Sequence, residues 1–142
     1  MLFRKVDFGS PSFDEILQLR NIVLRQPLGM IFTPEQIASE YNNFHFGCYQ
    51  NQRLVGTLLM KNLGRGTLKM RQVAVNPNDQ SKGIGSFIVD QVEKWALHHQ
   101  FSRIELAARQ KAVKFYLRLH YKVIGQPFTE VGIPHRTMTK DL

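Results

Sequence analysis

Cysteine is almost absent: Cys48 is the single one in a chain of 142 residues. That excludes an intrachain disulfide and any cysteine-based metal cluster. The chain has no His-Glu-x-x-His motif and no Cys/His cluster, so no metal is expected. No apolar run approaches the ~20 residues of a membrane-spanning helix, and no membrane is expected among the partners. The opening Met1-Leu2-Phe3-Arg4-Lys5-Val6-Asp7 carries neither an apolar signal region nor a cleavage site, so a cytoplasmic protein is expected. Repeats, low-complexity segments and linkers are missing as well, and residues 1–142 read as a single domain. There is no interleaved basic-aromatic tract of the kind that grips single strands, so nucleic acid is not the expected partner.

Positive charge is plentiful. Nineteen Lys+Arg against 11 Asp+Glu give a formal net charge of +8. Such a balance attracts anions at long range, whether nucleic acid or a cofactor bearing several phosphates. The basic residues are scattered, so charge by itself does not choose between these, and a merely soluble basic surface is the best single reading of it.

The patterning orders the elements. Leu2 to Phe8 reads as a strand, and Ser12-Phe13-Asp14-Glu15 as a capping box opening a helix with Ile16, Leu19 and Val23 on one stripe, ending near Arg25. Thr33-Pro34 opens a second, short helix. His45–Tyr49, Leu54–Lys61 and Thr67–Val75 alternate as strands separated by turns. A helix to His98 or His99, a strand over Arg103–Ala108 and a helix through Ala112, Phe115, Tyr116 and Leu119 follow. Tyr121–Ile124 and His135–Thr139 close the chain as strands, joined by a stretch read as irregular. The fold class expected is α/β of the mixed α+β kind. Its central sheet has about six to seven strands, with an antiparallel N-terminal half, a central parallel pair and flanking helices.

One stretch carries most of the chemical information. Val73 and Val75 alternate as a strand does, Asn76-Pro77-Asn78-Asp79 stops it, and Gln80-Ser81-Lys82-Gly83-Ile84-Gly85-Ser86 runs into a helical period of Ile84, Ile88, Val92 and Trp95. The first amides of a helix have no intrahelical partner, and the helix dipole adds positive charge there. Glycines let an anion approach the backbone without a Cβ in the way. A pyrophosphate cradle and a plain strand-to-helix turn both satisfy this spacing. A Walker A loop does not, because it needs four residues between its glycines; nor does a dinucleotide fingerprint, since Ile88 stands where its third small residue belongs.

Gln80-x-x-Gly83-x-Gly85 after Val73-Ala74-Val75 resembles the Arg/Gln-x-x-Gly-x-Gly/Ala acyl-CoA signature of the GNAT superfamily of N-acyltransferases. Arg109-x-x-Ala112-x-x-x-Tyr116-x-x-x-His120-Tyr121 is similar to that family's Asn-x-x-Ala-x-x-x-Tyr-x-x-x-Gly-Phe/Tyr, with Arg109 and His120 as departures. Gly132-Ile133-Pro134-His135-x-x-Met138 is similar to a C-terminal pattern of some members, and the order of elements agrees over nearly the whole chain.

The resemblance implies a GNAT-like fold and an N-acetyltransferase that moves an acetyl group from acetyl-CoA to a primary amine. It places the CoA pyrophosphate on the amides of Lys82 to Ser86, counting Ser81, Gly83, Ile84 and Gly85 in the loop. Gln80 would steady that loop or touch a phosphate, and Val73, Ala74 and Val75 would align the pantetheine and the acyl carbonyl. Arg109 would meet a phosphate. Tyr116 would be the general acid toward the departing thiolate, a role that suits a phenol. A base is also needed, from His45, Glu130 or His135, with His135 favoured because the last hairpin borders the acceptor cleft in this fold. Cys48 shows no local sign of an activated nucleophile, so direct attack in a ternary complex is expected. The acceptor would be a small-molecule or peptide amine, and a homodimer would suit an exposed edge strand. The rival is a non-catalytic CoA-binding or nucleic-acid-associated module on the same scaffold.

Overall fold

The computed structural model describes residues 1–142. After β1 (Leu2–Val6), α1 (Pro11–Arg20) begins at Ser10, whose hydroxyl accepts from the Phe13 amide at 3.2 Å. Pro11 then occupies the first helical position with no amide to satisfy. The cap expected at Ser12 therefore lies two residues earlier, because Ser10 and Pro11 already provide a complete start. Nor does the helix run regularly to Arg25: Asn21–Arg25 widen into a π turn, and Gln26–Leu28 tighten into a 3-10 turn ended by Gly29 at φ +68°. α2 (Pro34–Ala38) has a reciprocal capping box, with Thr33 Oγ1 accepting from the Gln36 amide and Gln36 Oε1 accepting from the Thr33 amide.

β2 (Phe44–Gln50) and β3 (Arg53–Gly64) turn at Asn51-Gln52, both at positive φ, the conformation whose twist matches that of flanking strands. β4 (Thr67–Val75), α3 (Ile84–His98), β5 (Arg103–Arg109), α4 (Val113–Arg118), β6 (Lys122–Glu130) and β7 (Ile133–Asp141) follow. Seven strands form one sheet in the order β1-β2-β3-β4-β5-β7-β6. Every neighbouring pair is antiparallel except β4 and β5. This is the mixed sheet with a central parallel pair that the patterning implied.

The segment between Ile124 and His135 is not an irregular loop. It forms the distal half of the β6–β7 hairpin, with Phe128 opposite His135 and Glu130 opposite Ile133. A register shift between Ile124 and Phe128 absorbs Gly125 and Pro127, and a proline at a shift on the edge strand removes no necessary ladder bond.

Apolar cores lie on both faces of the sheet. α3 buries Ile84, Ile88, Val89, Val92 and Ala96 in a cluster with Leu68, Met70, Ile104 and Leu106. α1 buries Phe13, Ile16 and Leu19 with Val6, Tyr49, Leu54 and Ala74. Each of the valine, leucine, isoleucine, phenylalanine and methionine side chains among them stabilises the fold by roughly 1.5–3 kcal/mol on leaving water.

The parallel pair is short. Thr67–Met70 pair with Arg103–Leu106, and beyond Leu106 the two strands no longer pair. The cause is visible in β4. Its register with β3 slips between Thr57↔Ala74 and Leu59↔Arg71, and Gln72 stands at φ +55°. An extra residue in one strand bends it and increases its twist, which here carries the end of β4 away from β5.

Candidate functional site

The parted strands border a cleft of about 860 Å³. Its N-terminal wall is the turn after β4. Ser81 at φ +66° and Gly83 at φ +78° curl the backbone, and Gly83 caps α3. The amides from Gln80 to Ser86 donate to no acceptor within the chain; Phe87, bonded to the Gly83 carbonyl, is the first of the helix to do so. A run of unpaired amides at a helix N-terminus supplies the donors that an anion cradle requires.

The cradle is braced from below. Gln80 Nε2 donates to the Val75 carbonyl at 3.1 Å, tying the loop to the strand end. Asp79 has a buried carboxylate that receives two bonds of 3.0 Å from Arg53 and lies 3.8 Å from Lys82 Nζ. The Arg53 hydrogen bonds hold its pKa below the ordinary carboxylate value. Gly85 gives clearance of a different kind: a Cβ there would stand 3.2 Å from Phe115 Cζ on α4, a contact tight enough that the ring would have to shift.

Val73, Val75, Gln80, Ser81, Gly83, Ile84, Gly85, Ser86, Arg109, Tyr116 and His135 all line this one cleft. Of the other expected residues, Ala74 turns its methyl into the α1 core, leaving only its backbone for a ligand. The Lys82 side chain reaches outward to Asp79. Arg109 spends one donor on the Leu24 carbonyl at 3.1 Å, which joins β5 to the π turn.

Tyr116 is buried beside Phe115 and Tyr121, with ring centroids 4.9 and 5.7 Å away. Burial pushes its phenol pKa well above the ordinary value, so it holds its proton across neutral pH. At the other end of the cleft, His135 Nδ1 lies 2.7 Å from the Ile133 carbonyl. A carbonyl only accepts, so Nδ1 carries a hydrogen, and in the neutral ring Nε2 is then the lone-pair nitrogen; it lies 3.9 Å from Glu130 Oε2. His45 is elsewhere: buried against Phe8 and Phe13, it donates Nε2–H to the Glu40 carbonyl at 2.9 Å. Cys48 is fully buried, and desolvation raises its pKa, so it is a neutral core thiol.

Pattern reading missed Arg25 and Arg71, which also line the cleft, and the bulge at Gln72. The bulge had a signal. Apolar positions fall at Leu68 and Met70, then at Val73 and Val75, a change of parity that only an inserted residue explains if all four face one core. Arg25 had none, because a cation on a helix end is ordinarily solvated. Here burial, with Arg109, Arg20 and Arg71 nearby, presses its pKa below the ordinary arginine value, and Glu130 opposes the shift.

The sequence model of a family described as "Acetyltransferase (GNAT) domain" matches residues 30–142. The chain is 31% identical over 103 residues to the uncharacterized N-acetyltransferase YjcF of Bacillus subtilis, covering 72% of this chain and 73% of the relative. Its fold is like that of Escherichia coli ElaA, with TM-score 0.83, 19% identity and 98% of each chain covered. It is also like a GNAT family acetyltransferase from Elizabethkingia anophelis with acetyl-CoA bound, with TM-score 0.74, 16% identity and 99% and 97% coverage. The matched family, the seven-stranded sheet parted at its parallel pair, and the amide-lined turn all agree: this chain belongs to the GNAT family of acetyltransferases.

Proposed function

We propose that the protein moves an acetyl group from acetyl-CoA to a primary amine by direct attack in a ternary complex, with Tyr116 as general acid. The observation that carries this reading is the row of unpaired amides from Gln80 to Ser86 at the mouth of a cleft between parted strands. Those amides suit a pyrophosphate: they are unused, and Gly83 leaves open space where a side chain would stand. The backbone of Val73 to Val75, unpaired on its β5 side, would hold the pantetheine arm as an added strand.

Acetyl-CoA supplies the activated thioester. The chain's own groups divide the remaining work. A backbone N–H of β4 meets the carbonyl oxygen as it gains negative charge. His135 Nε2, with its lone pair free, takes the proton that the amine loses as its nitrogen bonds to the acetyl carbon. Tyr116 gives its hydroxyl proton to the sulfur as the carbon–sulfur bond breaks. Burial keeps the phenol protonated until the thiolate forms. Cys48, buried and protonated, takes no part, in keeping with direct attack.

Calorimetric titration with acetyl-CoA, with ATP and NAD as controls, tests the cradle. Selective binding is expected, followed by thiol release in an amine screen. Folded, ligand-free protein that ignores acetyl-CoA would sink the reading. Binding without turnover of any amine would leave a CoA-binding module.

A further inference from the structure

The end of the cleft away from the amide cradle carries more positive charge than any of its own carboxylates offsets. Arg25, on the π turn, lays its guanidinium over the Phe32 ring at 4.3 Å, and Arg20 does the same at 4.5 Å. The two differ in their compensation. Arg20 is bonded at both terminal nitrogens to Glu40, whereas Arg25 joins no ion pair. Two of its nitrogens, Nε and Nη1, are buried with no acceptor in reach. Arg71 and Arg109 line the same cleft, likewise without a carboxylate partner. Of the two carboxylates on the cleft wall, Asp79 is already held by Arg53, and Glu130, which opposes the shift at Arg25 without pairing with it, is one negative charge against three guanidiniums.

Buried donors left unpaired are unfavourable, and a half-buried uncompensated guanidinium adds to that. An anion at Nη2, the one Arg25 nitrogen that is neither bonded nor sealed from the cleft, would offset that charge. A simple protonated amine or polyamine brings the wrong sign. An amine that shares its molecule with a carboxylate brings the right one, and guanidinium groups suit a planar carboxylate better than any other side chain does.

We propose that the acetyl acceptor is an amino carboxylate of the free amino acid kind, and that Arg25 takes its carboxylate and thereby sets acceptor specificity. This rests on the acetyltransferase reading above. The uncompensated charge of Arg25 is then a feature of the unliganded cleft, balanced when the acceptor binds. The neighbouring cations also disfavour the protonated form of the acceptor amine, which helps it reach His135 ready to lose its proton.

The test pairs each of the common amino acids with its carboxamide, which keeps the amine and removes the negative charge. Acetyl-CoA binding is measured first, by calorimetry, for the wild type and for Arg25→Gln. Equal affinities are expected; no binding to the wild type would overturn the reaction itself and this assignment with it. With binding established, thiol release should show at least one amino acid used with kcat/KM about tenfold or more above its amide. Arg25→Gln should bring that amino acid down to the level of its amide, chiefly through KM, and Arg25→Lys should restore part of the difference. Equal use of acid and amide, a preference that survives Arg25→Gln, or no turnover of any amino acid by protein that binds acetyl-CoA would each overturn the proposal. Those last outcomes leave the acetyltransferase reading standing.

Discussion

Arg20 and Glu40 form a two-point ion pair, Nη1 to Oε1 at 2.7 Å and Nη2 to Oε2 at 2.8 Å, with both side chains buried. The pair joins α1 to the segment after α2, and so holds together the two helical elements over one face of the sheet. Two ions out of water attract strongly, but each also loses its hydration, so the net contribution is modest while the loss of one partner is severe. Glu40→Ala should therefore lower stability by about 3–5 kcal/mol in urea unfolding. Replacing both together, as Arg20→Met with Glu40→Leu, should cost much less. A single and a double variant of equal stability would show that the pair is not a coupled unit.

Tyr116→Phe removes one oxygen and leaves the ring packing of α4 intact. If the hydroxyl protonates the departing sulfur, kcat should fall by roughly 10²–10⁴. Acetyl-CoA affinity should stay close to that of the wild type, because the cradle is backbone. Thiol release and calorimetry read the two quantities separately, and an unchanged kcat would remove Tyr116 from the chemistry.

Gly83 stands at φ +78°, where an L side chain is strained by roughly 1–2 kcal/mol even though space is open around it. Gly83→Ala should weaken acetyl-CoA binding by about fivefold or more through distortion of the cradle. Gly85→Ala has ordinary φ but brings a Cβ within 3.2 Å of Phe115, next to Tyr116. Its effect should therefore appear mainly in kcat. Identical kinetic profiles for the two variants would contradict this division of labour.

His45 gives the fold a pH dependence unrelated to catalysis. Burial holds its pKa below the ordinary 6.5, against the opposing pull of the Glu40 carbonyl. Between 6.5 and the lower folded value, the unfolded chain binds a proton that the folded chain does not. The stability contributed by the neutral ring is thus complete above about pH 6.5 and is lost as pH falls through that window. Urea midpoints between pH 7.5 and 5 should fall for the wild type and flatten in His45→Gln, whose amide keeps a donor for the carbonyl. A slope that persists in the variant would assign it to another group.

Much of this was readable one residue at a time. The alternation of Thr67–Val75, the stop at Asn76-Pro77 and the period of Ile84, Ile88 and Val92 express local geometry, and local geometry is what spacing encodes. The same holds for the glycine turn, because φ > 0 at Gly83 is a property of that residue and its neighbours. Errors came where two local solutions competed. Ser10-Pro11 displaced the cap expected at Ser12, and Gly125 and Pro127 suggested a loop where a register shift lets β6 continue.

The sequence alone determined the order of elements, the glycine-bearing turn that opens α3 and the placing of Tyr116 on an amphipathic helix beside a strand. Only the tertiary structure decided that β4 and β5 part, that Arg25, Arg71 and Arg109 meet in one cleft with His135 and Glu130, and that His45 does not. The reason is physical. Periodicity reports which way a side chain faces on its own element, whereas convergence depends on which strands neighbour each other and on how far a single bulge bends one of them.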